Sequence, residues 1–152
     1  MKKNILFVVV ISLLYSCKVT NDKEIDSIQG NWYYLIKEQI DSSEKKYFSS
    51  YNEVYIDDKT TFHYTELVGN LRPEDYKVSN DSFFSRAYNG NMIYKGKLEN
   101  INDNNFDLVY KSQVINYRRV KEGVTFKDVI LKIDSLDNYL KDYNKRLLKT
   151  KK

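Results

Sequence analysis

The chain has 152 residues, with 25 lysines and arginines against 21 aspartates and glutamates, and its net charge of +4 gives no reason to expect nucleic-acid binding. One histidine and one cysteine exclude the usual zinc ligand sets, and a single cysteine excludes a disulfide within the chain. Fourteen tyrosines, seven phenylalanines and only one proline favour a β-rich domain, because aromatic side chains suit a pleated sheet.

The N-terminal segment has the layout of a secretory signal. Lys2 and Lys3 precede an apolar run from Ile5 to Leu14, which ends close to Cys17. This run is too short to cross a bilayer, since a spanning helix needs about 20 apolar residues. The four residues that end at Cys17, Leu-Tyr-Ser-Cys, resemble the lipobox of bacterial lipoproteins.

The lipobox resemblance implies both a modification and a location. Residues 1–16 would be a signal peptide that is removed, and Cys17 would become the first residue and carry lipid. Residues 17–27 would thus consist of the lipidated cysteine and a flexible tether formed by the polar residues that follow it. We therefore expect a lipid-anchored protein of the cell envelope, in the outer membrane and facing the periplasm or the cell surface. An ordinary signal peptide with an incidental cysteine is the alternative.

Residues 28–122 predict a series of eight short strands, mostly antiparallel. Runs of strand-type residues recur about every 8–12 residues with turn residues between them, which is typical of a barrel or a sandwich. The polar stretch 38–50 and the segment 67–74 are predicted loops. The predicted strands are Asn31–Lys37, Asn52–Ile56, Thr60–Glu66, Asp75–Ser79, Ser82–Arg86, Asn91–Leu98, Phe106–Lys111 and Val114–Val120.

After Gly123 the apolar spacing changes from two residues to three or four. Thr125 and Asp128 have the spacing of a capping box, and the apolar residues that follow predict one amphipathic helix of about 20 residues. We expect residues 123–152 to form this helix and a basic tail, packed on the barrel. Binding of a partner along the apolar stripe is the alternative.

The segment Gly30-Asn31-Trp32 opens the first predicted strand and resembles the Gly-x-Trp signature of lipocalins and the wider calycin group. In that family the tryptophan closes one end of the barrel and an arginine late in the last strand packs across the indole; Arg119 is at the matching place. The resemblance, closest to lipocalin-like lipoproteins of Bacteroidetes-type bacteria, implies an eight-stranded antiparallel up-and-down barrel followed by a C-terminal helix. A β-sandwich or an open sheet covered by the helix is the alternative.

The aromatic strand faces are the predicted ligand-binding surface. If the barrel is closed, five aromatic residues are expected to point into it, where a small apolar or aromatic molecule could lie. A barrel filled by its own side chains is an equally weighted alternative. The five residues are Tyr34, Tyr64, Tyr94, Phe106 and Tyr110.

We expect no enzyme, no cofactor and no metal site. His63 is the only histidine, and its strand neighbours form no nucleophile pattern, so we interpret it as solvent-facing or packed. The acidic pair Asp57-Asp58 and the segment 102–105 do not have the ligand spacing of a calcium loop, and we interpret them as turns. The hypothesis is therefore a monomeric, non-enzymatic, lipid-anchored barrel. Its rivals are a protein-binding inhibitor or immunity-type lipoprotein, and a structural envelope component without ligand.

Overall fold

The computed structural model describes residues 28–39, 47–65, 68–70 and 72–150. The expected signal peptide, Cys17 and the tether lie outside these ranges. None of the helices in the described ranges is long and apolar enough to cross a membrane. The strands are β1 (Gly30–Gln39), β2 (Tyr47–Ile56), β3 (Thr60–Thr65), β4 (Gly69–Asn70), β5 (Glu74–Ser79), β6 (Ser82–Arg86), β7 (Met92–Glu99), β8 (Asn105–Tyr110) and β9 (Gln113–Arg119), and the helices are α1 (Phe126–Ile130) and α2 (Leu136–Thr150).

The long strands form a closed, eight-stranded antiparallel barrel, as predicted. Each strand pairs with its neighbour along the chain, β9 returns to β1, and β2 also pairs with β3. The two-residue β4 adds only to the far end of β3. Short turns make this order possible: Asn80 and Asp81 adopt positive φ values of 50° and 57° between β5 and β6, a conformation that these residues tolerate better than most.

The strand series is confirmed, but the first hairpin is longer than predicted. Residues 38–39 belong to β1 and residues 47–50 belong to β2, because the ladder between these strands continues to the pair Gln39 and Tyr47. Residues 40–46, the rest of the predicted loop, lie outside the described ranges. The second predicted loop, 67–74, contains β4 and the first residue of β5.

The single long helix of the prediction is wrong, because the chain forms two helices separated by residues 131–135. The predicted start at Thr125 is correct: the Asp128 carboxylate accepts hydrogen bonds from the backbone N–H and the hydroxyl of Thr125, both at 2.7 Å. Lys132 then adopts a positive φ of 57°, which ends the first helix. Ser135 starts the second, since its hydroxyl accepts from the N–H of Asn138 at 3.2 Å.

Two separate apolar cores lie on opposite sides of the barrel wall. The inner core fills the Trp32 end of the barrel and includes Val54 and Phe106. The outer core lies between the barrel and α2, where Tyr139 and Tyr143 are buried. Strand β2 contributes to both cores, so residues 51–56 are all buried although only alternate side chains point inward. The helix therefore covers one side of the barrel and leaves its interior unobstructed.

Candidate functional site

The barrel interior contains a cavity of about 320 Å³. One part of its wall is apolar, and a second part carries hydroxyl, imidazole, carboxylate and ammonium groups. The apolar residues are Val54, Ile56, Phe83, Phe106, Leu108 and Ile115, and the polar ones are Tyr34, Thr61, His63, Glu74, Ser85, Lys95 and Tyr117.

Two mostly buried residues of the cavity wall carry hydroxyl groups that have no hydrogen-bond partner among the described residues. Ser85 is 3 % exposed and Tyr117 is 9 % exposed. The described residues provide no hydrogen bond to either hydroxyl, although every fully enclosed side-chain nitrogen or oxygen among them has a partner. The two hydroxyls must therefore border open space, and both residues line the cavity. Each hydroxyl is therefore free to form hydrogen bonds with water or with a molecule bound in the cavity.

The phenol groups of the wall stay protonated and can donate hydrogen bonds. Burial, followed by the charge of Glu74, raises the pKa of Tyr34 above its ordinary value. Burial also raises the pKa of Tyr117, and the neighbouring Tyr34 adds to that shift. The two rings contact each other with centroids 4.9 Å apart. The Tyr117 ring also stacks in parallel on Phe106, with centroids 4.4 Å apart.

A group of titratable side chains surrounds His63. Its Nε2 lies 3.3 Å from Oγ1 of Thr61, whose hydroxyl donates to the Glu74 backbone carbonyl at 3.2 Å. Burial lowers the pKa of His63; the Glu74 carboxylate opposes this shift and the Lys95 ammonium group adds to it. Within the described residues, neither the Glu74 carboxylate nor the Lys95 ammonium group forms an ion pair. The site thus offers a neutral imidazole, one unpaired anion and one unpaired cation.

One end of the barrel is closed by Trp32, which is completely buried. Its Nε1–H donates to the Ile28 carbonyl at 2.7 Å, and Phe106 packs edge-to-face on it at 4.8 Å. The Arg119 guanidinium lies 3.7 Å from the centroid of the indole ring. A side chain at Gly30, which has a φ of +125°, would overlap this guanidinium. The residues of the Gly-x-Trp resemblance therefore form one packing unit at the closed end.

Only two of the five predicted ligand-binding residues line the cavity. Tyr34 and Phe106 are in its wall. Tyr64 lies outside the barrel, where its ring contacts those of Phe126, Tyr139 and Tyr143 at centroid distances of 5.0–5.7 Å. The prediction that Tyr64 points into the barrel is therefore wrong. Its ring lies on the outer face of β3, where it packs against the two helices.

The remaining two predicted residues, Tyr94 and Tyr110, are also outside the cavity lining. They are 43 % and 40 % exposed and contact each other at 5.9 Å. Tyr94 pairs with Phe84 across a register irregularity between β6 and β7. This irregularity interrupts the period-two pattern on which the prediction of an inward Tyr94 rests.

Six polar wall residues were not predicted as site residues: Thr61, His63, Glu74, Ser85, Lys95 and Tyr117. Period-two alternation puts Thr61 and His63 on one face of β3 and Phe62 and Tyr64 on the other. The more apolar of these two faces is the outer one, and the polar face is the interior one. The sequence signal for these residues is a strand with one polar and one apolar face. When a helix covers the outside of the barrel, the apolar face packs against that helix and the polar face lines the interior.

The described residues contain no group of three or more histidine, cysteine, aspartate or glutamate side chains placed to hold a metal ion. No protein-family model, curated protein or solved structure matches this chain. The geometry of the barrel is therefore the basis on which a function can be argued.

Proposed function

We propose that this chain is a lipid-anchored, lipocalin-like protein of the cell envelope whose barrel binds a small molecule with an apolar or aromatic body. The observation that carries the proposal is the pair of hydroxyls of Ser85 and Tyr117, which open into the cavity without a partner among the described residues. Side chains that merely filled the barrel would leave no open space beside these groups, whereas here the space beside them can hold a molecule that pairs with both.

The two parts of the cavity wall define what the molecule must look like. Its apolar body would pack against residues such as Val54 and Leu108, and its polar groups would meet the hydroxyls and His63. A cavity of about 320 Å³ lies at the lower end of the range for small-molecule sites, about 300–1,000 Å³. The expected cargo is accordingly compact, and it carries both hydrogen-bond donors and acceptors.

Native mass spectrometry of the full chain, purified in detergent from the envelope of its own host, tests this proposal. We expect a reproducible small-molecule adduct. Tyr117→Phe retains the stacking on Phe106 but removes the hydroxyl, so it should weaken the adduct by about 2- to 10-fold, the value of one hydrogen bond. Ser85→Ala should have a similar effect.

Tyr110→Phe is the matched control, since it removes a tyrosine hydroxyl that lies outside the cavity lining. The adduct should survive this change with unaltered occupancy. A clean apo mass, or an adduct equally tolerant of all three substitutions, would count against a ligand carrier. It would favour the protein-binding and structural alternatives.

The lipid anchor has a test of its own at Cys17, which lies outside the described residues. Cys17→Ser should move the protein from the membrane fraction to the soluble fraction, because stable anchoring needs about two lipid chains and this residue would carry them. Ser16→Ala keeps a small residue before the cysteine and should leave the anchoring unchanged. Membrane association of the Cys17→Ser protein would rule out this anchor.

A further inference from the structure

The barrel wall is incompletely hydrogen-bonded between its first and last long strands. In the described backbone, β1 and β9 pair at Trp32 with Arg119 and at Tyr33 with Arg118, and the N–H of Val120 donates to the Asn31 carbonyl at 2.9 Å. At the next position the rings of Tyr34 and Tyr117 still contact each other, and beyond it β1 continues through residues 35–39 and β9 back through residues 113–116. Over these ranges the described backbone shows no ladder between the two strands.

The absence of pairing does not come from irregular strands. β1 stays paired with β2 as far as Gln39, and β9 stays paired with β8 as far as Gln113. Each strand therefore presents one satisfied edge and one open edge, and the two open edges face the same gap. Unpaired strand edges are templates for pairing with another chain, and folded proteins usually cover them.

The gap forms a cleft with apolar and basic walls, which we call the β1–β9 cleft. Its volume is about 860 Å³. Leu35, Ile36 and Val114 are 38 %, 36 % and 53 % exposed. The residues that line it are Tyr33, Leu35, Ile36, Gln113, Val114, Ile115, Asn116, Arg118, Lys149 and Thr150.

We propose that the β1–β9 cleft takes up an extended segment of a partner protein, which adds as a strand between β1 and β9 and carries acidic side chains. A strand is the occupant that provides backbone N–H and C=O groups for both open edges, whereas a lipid chain provides none. Alternate side chains of that strand would pack on Leu35 and Val114.

The charges of the cleft favour an acidic segment. Its lining contains two cationic residues, Arg118 and Lys149, and no acidic residue. Lys149 is already paired with Glu122 at 2.8 Å, whereas Arg118 is exposed and forms no ion pair within the described residues. A carboxylate next to Arg118 would complete a charge-assisted hydrogen bond. This proposal does not depend on a ligand in the barrel cavity.

The experiment selects peptides against the full chain in detergent from a display library of random ten-residue sequences. We expect enriched sequences in which acidic and apolar residues alternate. Their binding, measured by fluorescence anisotropy, should weaken about tenfold in Arg118→Glu, because the partner charge is reversed. Lys77→Glu is the matched control: it reverses an exposed charge on β5, across the barrel, and should leave binding unchanged. Far-UV circular dichroism checks that both variants are folded.

N-methylated copies of the best peptide test the backbone pairing directly. Because two open edges are available, N-methylation at odd positions and at even positions should each weaken binding by about tenfold or more. Tolerance of both methylation patterns, equal binding to Arg118→Glu, or failure to enrich any peptide would overturn the proposal. A concentration-dependent dimer that excludes the peptides would assign the cleft to a second copy of this chain and would also overturn it.

Discussion

Replacement of Glu53 by alanine should lower the free energy of unfolding by about 3–5 kcal/mol, the cost of breaking a buried ion pair. Glu53 lies on the outer face of β2, and its side chain is 2 % exposed. Its carboxylate accepts hydrogen bonds from Nε and Nη2 of Arg146 at 2.7 and 3.1 Å. The hydroxyls of Tyr51 and Tyr139 donate to it at 2.6 and 3.1 Å. The substitution leaves two buried hydroxyls without their acceptor and the largely buried Arg146 without its carboxylate, with only its bonds to the backbone carbonyls of residues 122 and 124 remaining.

Urea unfolding measures this effect, and Glu122→Ala is the control. The Glu122–Lys149 pair has a similar distance, 2.8 Å, but its side chains are 75 % and 67 % exposed. Exposed pairs contribute about 0–1 kcal/mol, so the control should scarcely change stability. The double variant Glu53→Ala/Arg146→Ala should be less destabilised than the sum of the single variants. A loss below about 1 kcal/mol for Glu53→Ala would show that the network does not fix α2 to the barrel.

Strand β2 illustrates why the sequence predicts the barrel but not which side chains line its interior. Period-two alternation identifies strands and separates their faces, but it does not say which face is inward. In β2 the inward Val54 and the outward Tyr55 are both buried, because α1 and α2 together cover the outside. In β3 the outer face is the more aromatic one, because it packs against the helices. This is why Tyr64 was assigned to the interior and His63 was not.

The C-terminal helices show a second limit. Apolar spacing across residues 126–147 predicted one continuous helix, but Ile133 and Leu136 are 69 % and 48 % exposed. A positive φ at Lys132 and the cap at Ser135 are local features that override the average pattern. The buried ion pair lies beyond sequence reasoning altogether. Glu53 and Arg146 are 93 residues apart along the chain, and no local pattern links them.

Replacement of Trp32 by alanine should have a comparable effect, about 3–5 kcal/mol, because the indole is completely buried at the closed end of the barrel. Three contacts are lost together: the hydrogen bond to Ile28, the edge-to-face contact with Phe106 and the Arg119 guanidinium over the ring. The cavity floor is affected as well, since Phe106 lies between Trp32 and the Tyr117 ring that borders the cavity.

Urea unfolding again measures the loss, and Trp32→Phe separates ring packing from the rest. This variant retains an aromatic contact with Phe106 but loses the hydrogen bond to Ile28, so it should be less destabilised than Trp32→Ala. A change below about 1 kcal/mol in the alanine variant would contradict the role of Trp32 in closing the barrel.

Fluorescence gives an independent reading of the same contact, because Trp32 is the only tryptophan of the chain. The Arg119 side chain also donates to the carbonyls of Gln29 and Asp103, at 2.6 and 3.0 Å, and so fixes the segments around the indole. Arg119→Ala should hydrate one face of the ring and shift its emission to longer wavelength. Arg118→Ala, one residue earlier on the exposed face, should leave the emission unchanged. If the two variants have the same emission as the parent protein, the guanidinium does not shield the indole, and the closed end depends on Trp32 packing alone.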